Sequence, residues 1–361
     1  MSPRSILSIG LAIQTVSIHA AAYCLAGQAC FPSDDVLATF EQSLGGNLIK
    51  TLPYGSACYS ATYNAEECLK LANQSQTFDF RESQAAAVMY INNEITKDGE
   101  GCPVPITTAD GSPPAAINGS CTLGNMPSYV VNVTCAHDVS LAVKFAAAHN
   151  LRLRIKNSGH DYAGRSAGKG ALSIWTRHLN EAVLIEDFSP EGVHGYSTDV
   201  VSAGPGVNVE ELNQWGADNA RVTIGGYTPS VGATGGYLLG GGFGPTAPHF
   251  GMGVDNVVQF EVITADGDIK IANSAKNQDL FWALRGGGGA FGVVTHVWLK
   301  AYPALAAVNT VAGPVVCQDR ASYEQMINTL IDLQVPLNDA GHSVSQIWIG
   351  HNQCAIHSNY C

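Results

Sequence analysis

The run Ile155-Lys156-Asn157-Ser158-Gly159-His160-Asp161-Tyr162-Ala163-Gly164-Arg165-Ser166 constrains this chain more than any other stretch. A strand, Leu151 to Ile155, delivers the backbone into Asn157, Ser158 and Gly159. Their small side chains let main-chain N–H groups approach a large anion without steric cost. Lys156 and Arg165 add positive charge nearby, and one histidine, His160, lies within the loop. A Gly-His pair alone is ordinarily a turn with a solvated imidazole, so its meaning depends on the rest of the chain.

With 361 residues, 46% of them hydrophobic and 13% charged, the chain is long enough for two domains and packs rather than remaining disordered. A formal charge of −12 with scattered basic residues argues against nucleic-acid or anionic-membrane partners. Arg4, the apolar run Ile6 to Ile18 and Ala20-Ala21-Ala22 predict a signal peptide over residues 1–22 and a secreted product, the run being short for a membrane span. Export gives the ten cysteines a meaning, since an oxidising compartment lets them pair. By proximity Cys24 with Cys30 and Cys58 with Cys68 are candidate pairs, the connectivity staying open, while Cys135 and Cys317 are candidate free thiols. Asn73, Asn118 and Asn132 head glycosylation sequons, the last at the end of a predicted strand.

Residues 23–125 read as an irregular, Cys-rich lead segment with one helix, Asp34 to Leu44. From Pro127 the texture becomes α+β. A strand Tyr129 to Val133 precedes a helix Ala136 to Asn150, with Thr134 as its cap and Val139, Ala142, Val143, Ala146 and Ala147 on one buried face. Strands follow at Ala171–Trp175, Glu181–Glu186 and Gly192–Ser202, then a helix Asn208–Asn219. Strands Asn256–Thr264 and Ile269–Ala272, a helix Gln278–Arg285 and a strand Val293–Leu299 complete the pattern.

Two glycine-dense stretches punctuate this region. Gly225-Gly226-Tyr227-Thr228-Pro229-Ser230-Val231-Gly232 continues through Gly235-Gly236 to Gly240-Gly241-Gly242-Phe243-Gly244, a density that marks close backbone approach to a ligand or another segment. Gly287, Gly289 and Gly292 match Gly-x-Gly-x-x-Gly, but a helix precedes them and a strand follows. That order reverses the one a nicotinamide dinucleotide fold needs, so NAD binding is rejected.

Together the three segments resemble the flavin domain of the vanillyl-alcohol-oxidase superfamily, in particular berberine-bridge-like oxidases. Cys30-Phe31-Pro32-Ser33, Gly164-Arg165-Ser166 and Ala171-Leu172-Ser173-Ile174-Trp175-Thr176 are most similar to secreted fungal isoamyl-alcohol-oxidase types. The resemblance implies an α+β, two-subdomain PCMH-type FAD-binding domain over 126–304, with FAD attached covalently through His160. It implies further that Lys156, Asn157, Ser158, Gly159, Asp161 and Ser166 meet the pyrophosphate. Thr228, Pro229, Ser230, Val231, Gly232 and Gly236 would approach the flavin and its ribityl chain, with Val294 closing the ring side. Many relatives add a second, cysteinyl tether in this turn. Thr228 occupies the matching position, so His160 would be the single attachment. The reaction implied is oxidation of a small alcohol or secondary-metabolite intermediate by hydride transfer to flavin N5, with O₂ as acceptor giving H₂O₂. A carbohydrate oxidase and a non-catalytic flavin-binding remnant are the alternatives. His249 reads as structural, and no catalytic base is assignable. Residues 305–361 read as the truncated beginning of a substrate domain, with a helix Ser322–Leu333, a strand Ser343–Gly350 and an atypical tail. His351, Cys354, His357 and Cys361 have spacings that zinc accepts, but export favours oxidised cysteines and no metal is expected.

Overall fold

The computed structural model describes residues 23–348 and 353–360; the expected leader and the tail residues His351 and Cys361 lie outside them. The lead segment forms α1 (Asp34–Ser43), β1 (Leu48–Lys50), α2 (Ala65–Gln74) and α3 (Phe78–Ser83). Next come β2 (Tyr129–Asn132), α4 (Ala136–Ala148), β3 (Leu153–Lys156) and β4 (Leu172–Trp175). The middle of the chain runs through β5 (Ala182–Phe188), β6 (Thr198–Ala203), α5 (Val209–Asp218), β7 (Arg221–Val222), α6 (Gly236–Leu239) and α7 (Ala247–Phe250). It continues with β8 (Val257–Ile263), β9 (Ile269–Asn273), α8 (Gln278–Leu284), β10 (Val293–Lys300) and β11 (Tyr302–Pro303). Beyond these lie β12 (Asn309–Val316), α9 (Arg320–Asp339), β13 (His342–Trp348) and β14 (Gln353–Tyr360).

Two sheets carry the α+β body. The first, β1-β2-β4-β3, is parallel except for β1. Its inner strand β4 is buried at all four residues, as expected of a strand covered on both faces. Val131, Leu172 and Ile174 pack there against Val139, Ala142, Val143 and Ala146 of α4. The second sheet, β5-β6-β10-β8-β9, is antiparallel throughout. Val201, Phe260, Val262, Val297 and Leu299 from its strands form a core with Leu212 and Trp215 of α5 and Phe281 and Leu284 of α8.

Local chemistry accounts for the differences from expectation. Thr134 does not cap α4: Cys135 is the N-cap residue, and the Asp138 carboxylate reaches back to accept from the Thr134 N–H and hydroxyl, both at 2.9 Å. Ala147 is exposed, so the buried face of α4 ends at Ala146. The strand expected from Gly192 begins only at Thr198, since Gly192 and Gly195 adopt left-handed φ of 78° and 72°, incompatible with a ladder. By contrast α5 carries a full capping box, Asn208 accepting from the Glu211 N–H and Glu211 from the Asn208 N–H, each at 2.9 Å.

The lead segment is more regular than its composition implies. Disulfides join Cys24–Cys30, Cys58–Cys68 and Cys102–Cys121, and Cys135 and Cys317 are free. Helices α2 and α3 were not expected, although Asn64 and Thr77 cap them. β1 enters the first sheet through β2, so the segment is part of that layer. Residues 305–361 likewise exceed the single helix and strand expected: β12-β14-β13 form an antiparallel sheet beside the longer α9. Asn73 and Asn118 are exposed, whereas Asn132 ends β2 and its Oδ1 bonds His178 Nδ1.

Candidate functional site

β3 leads straight into the loop Asn157 to Ser166, and this loop, the turn around Thr228 and the segment before β10 together line a cavity of about 960 Å³. That volume is near the upper end of small-molecule sites, roughly 300–1,000 Å³. Asn157, Ser158, Gly159, His160, Asp161, Ser166, Thr228, Val231, Gly232, Gly236 and Val294 all line it. Gly159 takes φ 95°, and Ser158 is only 2% exposed. Among the described residues, the N–H groups of Ser158, Gly159, His160 and Asp161 donate to nothing in the protein. Four consecutive uncommitted donors at a concave wall form an anion cradle.

Glycine density in the second stretch has a packing cause. A Cβ on Gly232 or Gly235 would lie 2.4 or 2.6 Å from Asn157 Nδ2, which donates to Pro205 O. The bare backbone therefore lets the Asn157 carboxamide insert beside the turn, leaving its buried Oδ1 without a protein partner. Arg154 Nε and Tyr237 Oη are buried and unpartnered as well, and both residues line the cavity. Burial raises the Tyr237 phenol above its ordinary pKa, so it stays protonated.

His160 is held by three neighbours. Its Nε2 lies 2.8 Å from Ser230 Oγ, and the Phe78 and Tyr90 rings pack against it at centroid distances of 5.7 and 6.5 Å. Burial pushes its pKa down to about 4, leaving a neutral imidazole at ordinary pH. Tyr90 stacks on Tyr162 at 4.5 Å, although the Tyr162 side chain is largely exposed at the cavity mouth. Asp161 pairs with Arg165. Burial would raise the Asp161 carboxyl, but hydrogen bonds from Arg165 and its charge outweigh this and hold the pKa below the usual value.

Three residues expected at the cofactor do not line the cavity. Lys156 does not reach the cavity: it is 1% exposed, its ammonium donates to Gln84 O, and it lies 4.9 Å over the Trp175 ring. The ladder pairing of Lys156 with Trp175 buries the side chain under the loop instead of beside it. Pro229 is exposed and off this cavity, and Ser230, at 3% exposure, touches the site only through His160. His249 is exposed and off the cavity. Conversely, Phe78, Met89 and Tyr90 of the lead segment, Arg154, Pro205, Tyr237 and the Gly287–Gly289 turn line the site without having been expected there. Only the glycines carried a sequence signal; the aromatic residues arrive by tertiary packing, Met89 N–H bonding Gly159 O at 3.1 Å.

An anion cradle, buried unmatched polar atoms and apolar walls fit a dinucleotide such as FAD. Residues 127–273 match a family described as the FAD binding domain. The FAD-linked oxidoreductase ZEB1 of Gibberella zeae is 37% identical over 309 residues, 84% of this chain and 51% of that protein. The crystal structure of the VAO-type flavoprotein MtVAO615 of Myceliophthora thermophila C1 superposes with a TM-score of 0.80 at 33% identity, covering 94% of this chain and 60% of that one. Glucooligosaccharide oxidase of Acremonium strictum shares the fold alone, with a TM-score of 0.55 at 22% identity over 65% of this chain and 47% of that one. The chain belongs to the VAO-type FAD-linked oxidoreductases and spans about half the length of the curated relative it matches.

Proposed function

We propose that this chain binds FAD in the cavity, attaches it covalently through His160 alone, and serves oxidation of a small alcohol-type substrate with O₂ as electron acceptor. The observation that carries the reading is the uncommitted N–H cradle of Ser158 to Asp161 with a neutral imidazole in its midst. FAD, when bound, supplies the two-electron redox chemistry. The protein's share is to bind and orient it. Ser158, Gly159 and Asp161 present backbone donors to the pyrophosphate, Asn157 Oδ1 and Tyr237 Oη supply polar contacts, and Val294 with Leu239 gives an apolar wall. Arg154 adds the one lining cation without an ion-pair partner among the described residues, since Arg165 is spent on Asp161. The turn Thr228-Pro229-Ser230 contains no thiol, which supports a single tether. Export of the chain is supported by three disulfides within its first hundred or so described residues.

Acid-precipitated protein tests the attachment by its visible spectrum and in-gel flavin fluorescence. Wild type should stay yellow and fluorescent after denaturation while His160→Ala releases its colour. Loss of flavin from both would overturn the anchor. Peroxide release on parallel panels of alcohols and carbohydrates then tests substrate class, and turnover confined to sugars would reverse that part of the proposal.

A further inference from the structure

We propose that Ser230 positions His160 for covalent attachment by accepting the Nε2 proton, which makes Nδ1 the nitrogen that joins the cofactor. This rests on the reading of His160 as the FAD anchor.

The Nε2–Ser230 contact of 2.8 Å is the only hydrogen bond of the imidazole among the described residues, because Phe78 and Tyr90 offer it ring faces and edges rather than acceptors. Ser230 is 3% exposed and does not line the cavity, so it stands behind the imidazole as a support. Its position is fixed from both sides. Val231 N–H closes the turn onto Thr228 O at 3.2 Å, and the first turn of α5 donates to it twice, Val209 N–H to Val231 O at 2.9 Å and Glu210 N–H to Pro229 O at 3.0 Å. The capping box anchors that helix end. The hydroxyl therefore sits on rigid backbone, as a group that must orient another group requires.

Two proton arrangements satisfy the pair. In one the Ser230 hydroxyl donates to Nε2, placing the imidazole proton on Nδ1 and leaving no nitrogen with a free lone pair. In the other Nε2–H donates to Oγ and the Nδ1 lone pair is available. Attachment needs the second. The bond formed joins Nδ1 to the carbon of the flavin 8α-methyl group. That methyl loses one proton, and the imidazole loses its Nε2 proton to Ser230 and thence to water. The electron pair of the broken C–H bond stays on the isoalloxazine, which O₂ then reoxidises, giving H₂O₂. With Thr228 offering no thiol, the single tether depends on this tautomer.

The experiment uses the full chain produced under riboflavin limitation and incubated with saturating FAD, following acid-stable flavin over time and identifying the linked nitrogen by NMR of the flavopeptide. Wild type should give the Nδ1 adduct. Ser230→Ala should attach flavin about tenfold more slowly and lose regiochemical purity, while Ser230→Thr, which keeps the hydroxyl, should return to within about threefold of wild type. Wild-type rate and an unmixed Nδ1 adduct in Ser230→Ala would overturn the proposal. So would an Nε2 adduct in wild type, a result that needs no variant to fold. Absence of acid-stable flavin from wild type would instead remove the anchor reading, and this proposal with it.

Discussion

Replacing Lys156 by methionine should flatten the pH dependence of this protein's stability. The ammonium is sealed between Gln84 O and the Trp175 ring, and burial lowers its pKa to about 7, with Glu94 and Glu82 opposing that fall and Arg81 adding to it. In the unfolded chain the same amine titrates near 10.5. The folded pKa is the lower one, so between the two values the unfolded state holds a proton that the folded state has released, and stability rises with pH across that window. Below about pH 7 both states are protonated and the slope disappears. One proton of difference is worth ~1.4 kcal/mol per pH unit, which integrates to a gain of about 2.5 kcal/mol between about pH 6 and pH 9. Urea midpoints of wild type and Lys156→Met across that range measure it, and subtracting the two curves removes every other titrating group. Absolute stability of the variant is not the readout, because the Gln84 carbonyl loses its partner at every pH, at a cost of about 1–3 kcal/mol. Parallel curves would refute the reasoning and mean that the amine keeps its proton and its solvation in the folded state.

Two further substitutions probe the packing around the site. Gly232→Ala sets a Cβ 2.4 Å from Asn157 Nδ2, so the carboxamide must leave Pro205; a loss of about 1–3 kcal/mol in thermal unfolding is expected, together with weaker FAD retention. An unchanged melting temperature would show that the turn yields freely. Arg81→Met leaves the Glu94 carboxylate buried without its 2.7 Å partner and should cost about 3–5 kcal/mol in urea unfolding, with a loss below about 1 kcal/mol counting against a tightly coupled pair.

From Pro127 to Pro303 most of the longer elements were legible because each has a local cause, whereas the start of β6 and the short elements β7, α6, α7 and β11 were not. Asn208 and Glu211 announce α5, the four-residue apolar run of β4 announces a doubly covered strand, and α4 carries its apolar stripe at helical spacing. The loop holding His160 was legible for the same reason: small residues in sequence translate directly into bare N–H groups. What escaped notice depends on contacts between distant residues. Tyr90 reaches His160 from a segment that Arg81 and Glu94 pin, Glu94 Oε1 accepting from both Arg81 and the Val88 N–H. The misassignment of Lys156 has the mirror-image cause, a charge read as facing an anion when its neighbour Trp175 in the ladder and Gln84 from the lead segment enclose it. Ser230 was placed at the flavin by its position in the turn, and nothing in the sequence tells a residue that touches the ligand from one that touches the histidine.

The central strand of the five-stranded sheet carries a consequence for how this protein can be divided. β10, at residues 293–300, is hydrogen-bonded on one edge to β6 and on the other to β8, strands that precede it in the chain by some ninety and thirty residues. The stretch 127–273 that bears the FAD-binding signature ends before it, and begins after β1 has supplied the edge of the other sheet. A fragment cut to those limits would expose both facing edges of the gap to pairing with other chains. The matched stretch is therefore smaller than the folding unit, and a recombinant minimal domain has to run from the first disulfide to at least Pro303 if both sheets are to keep their strands.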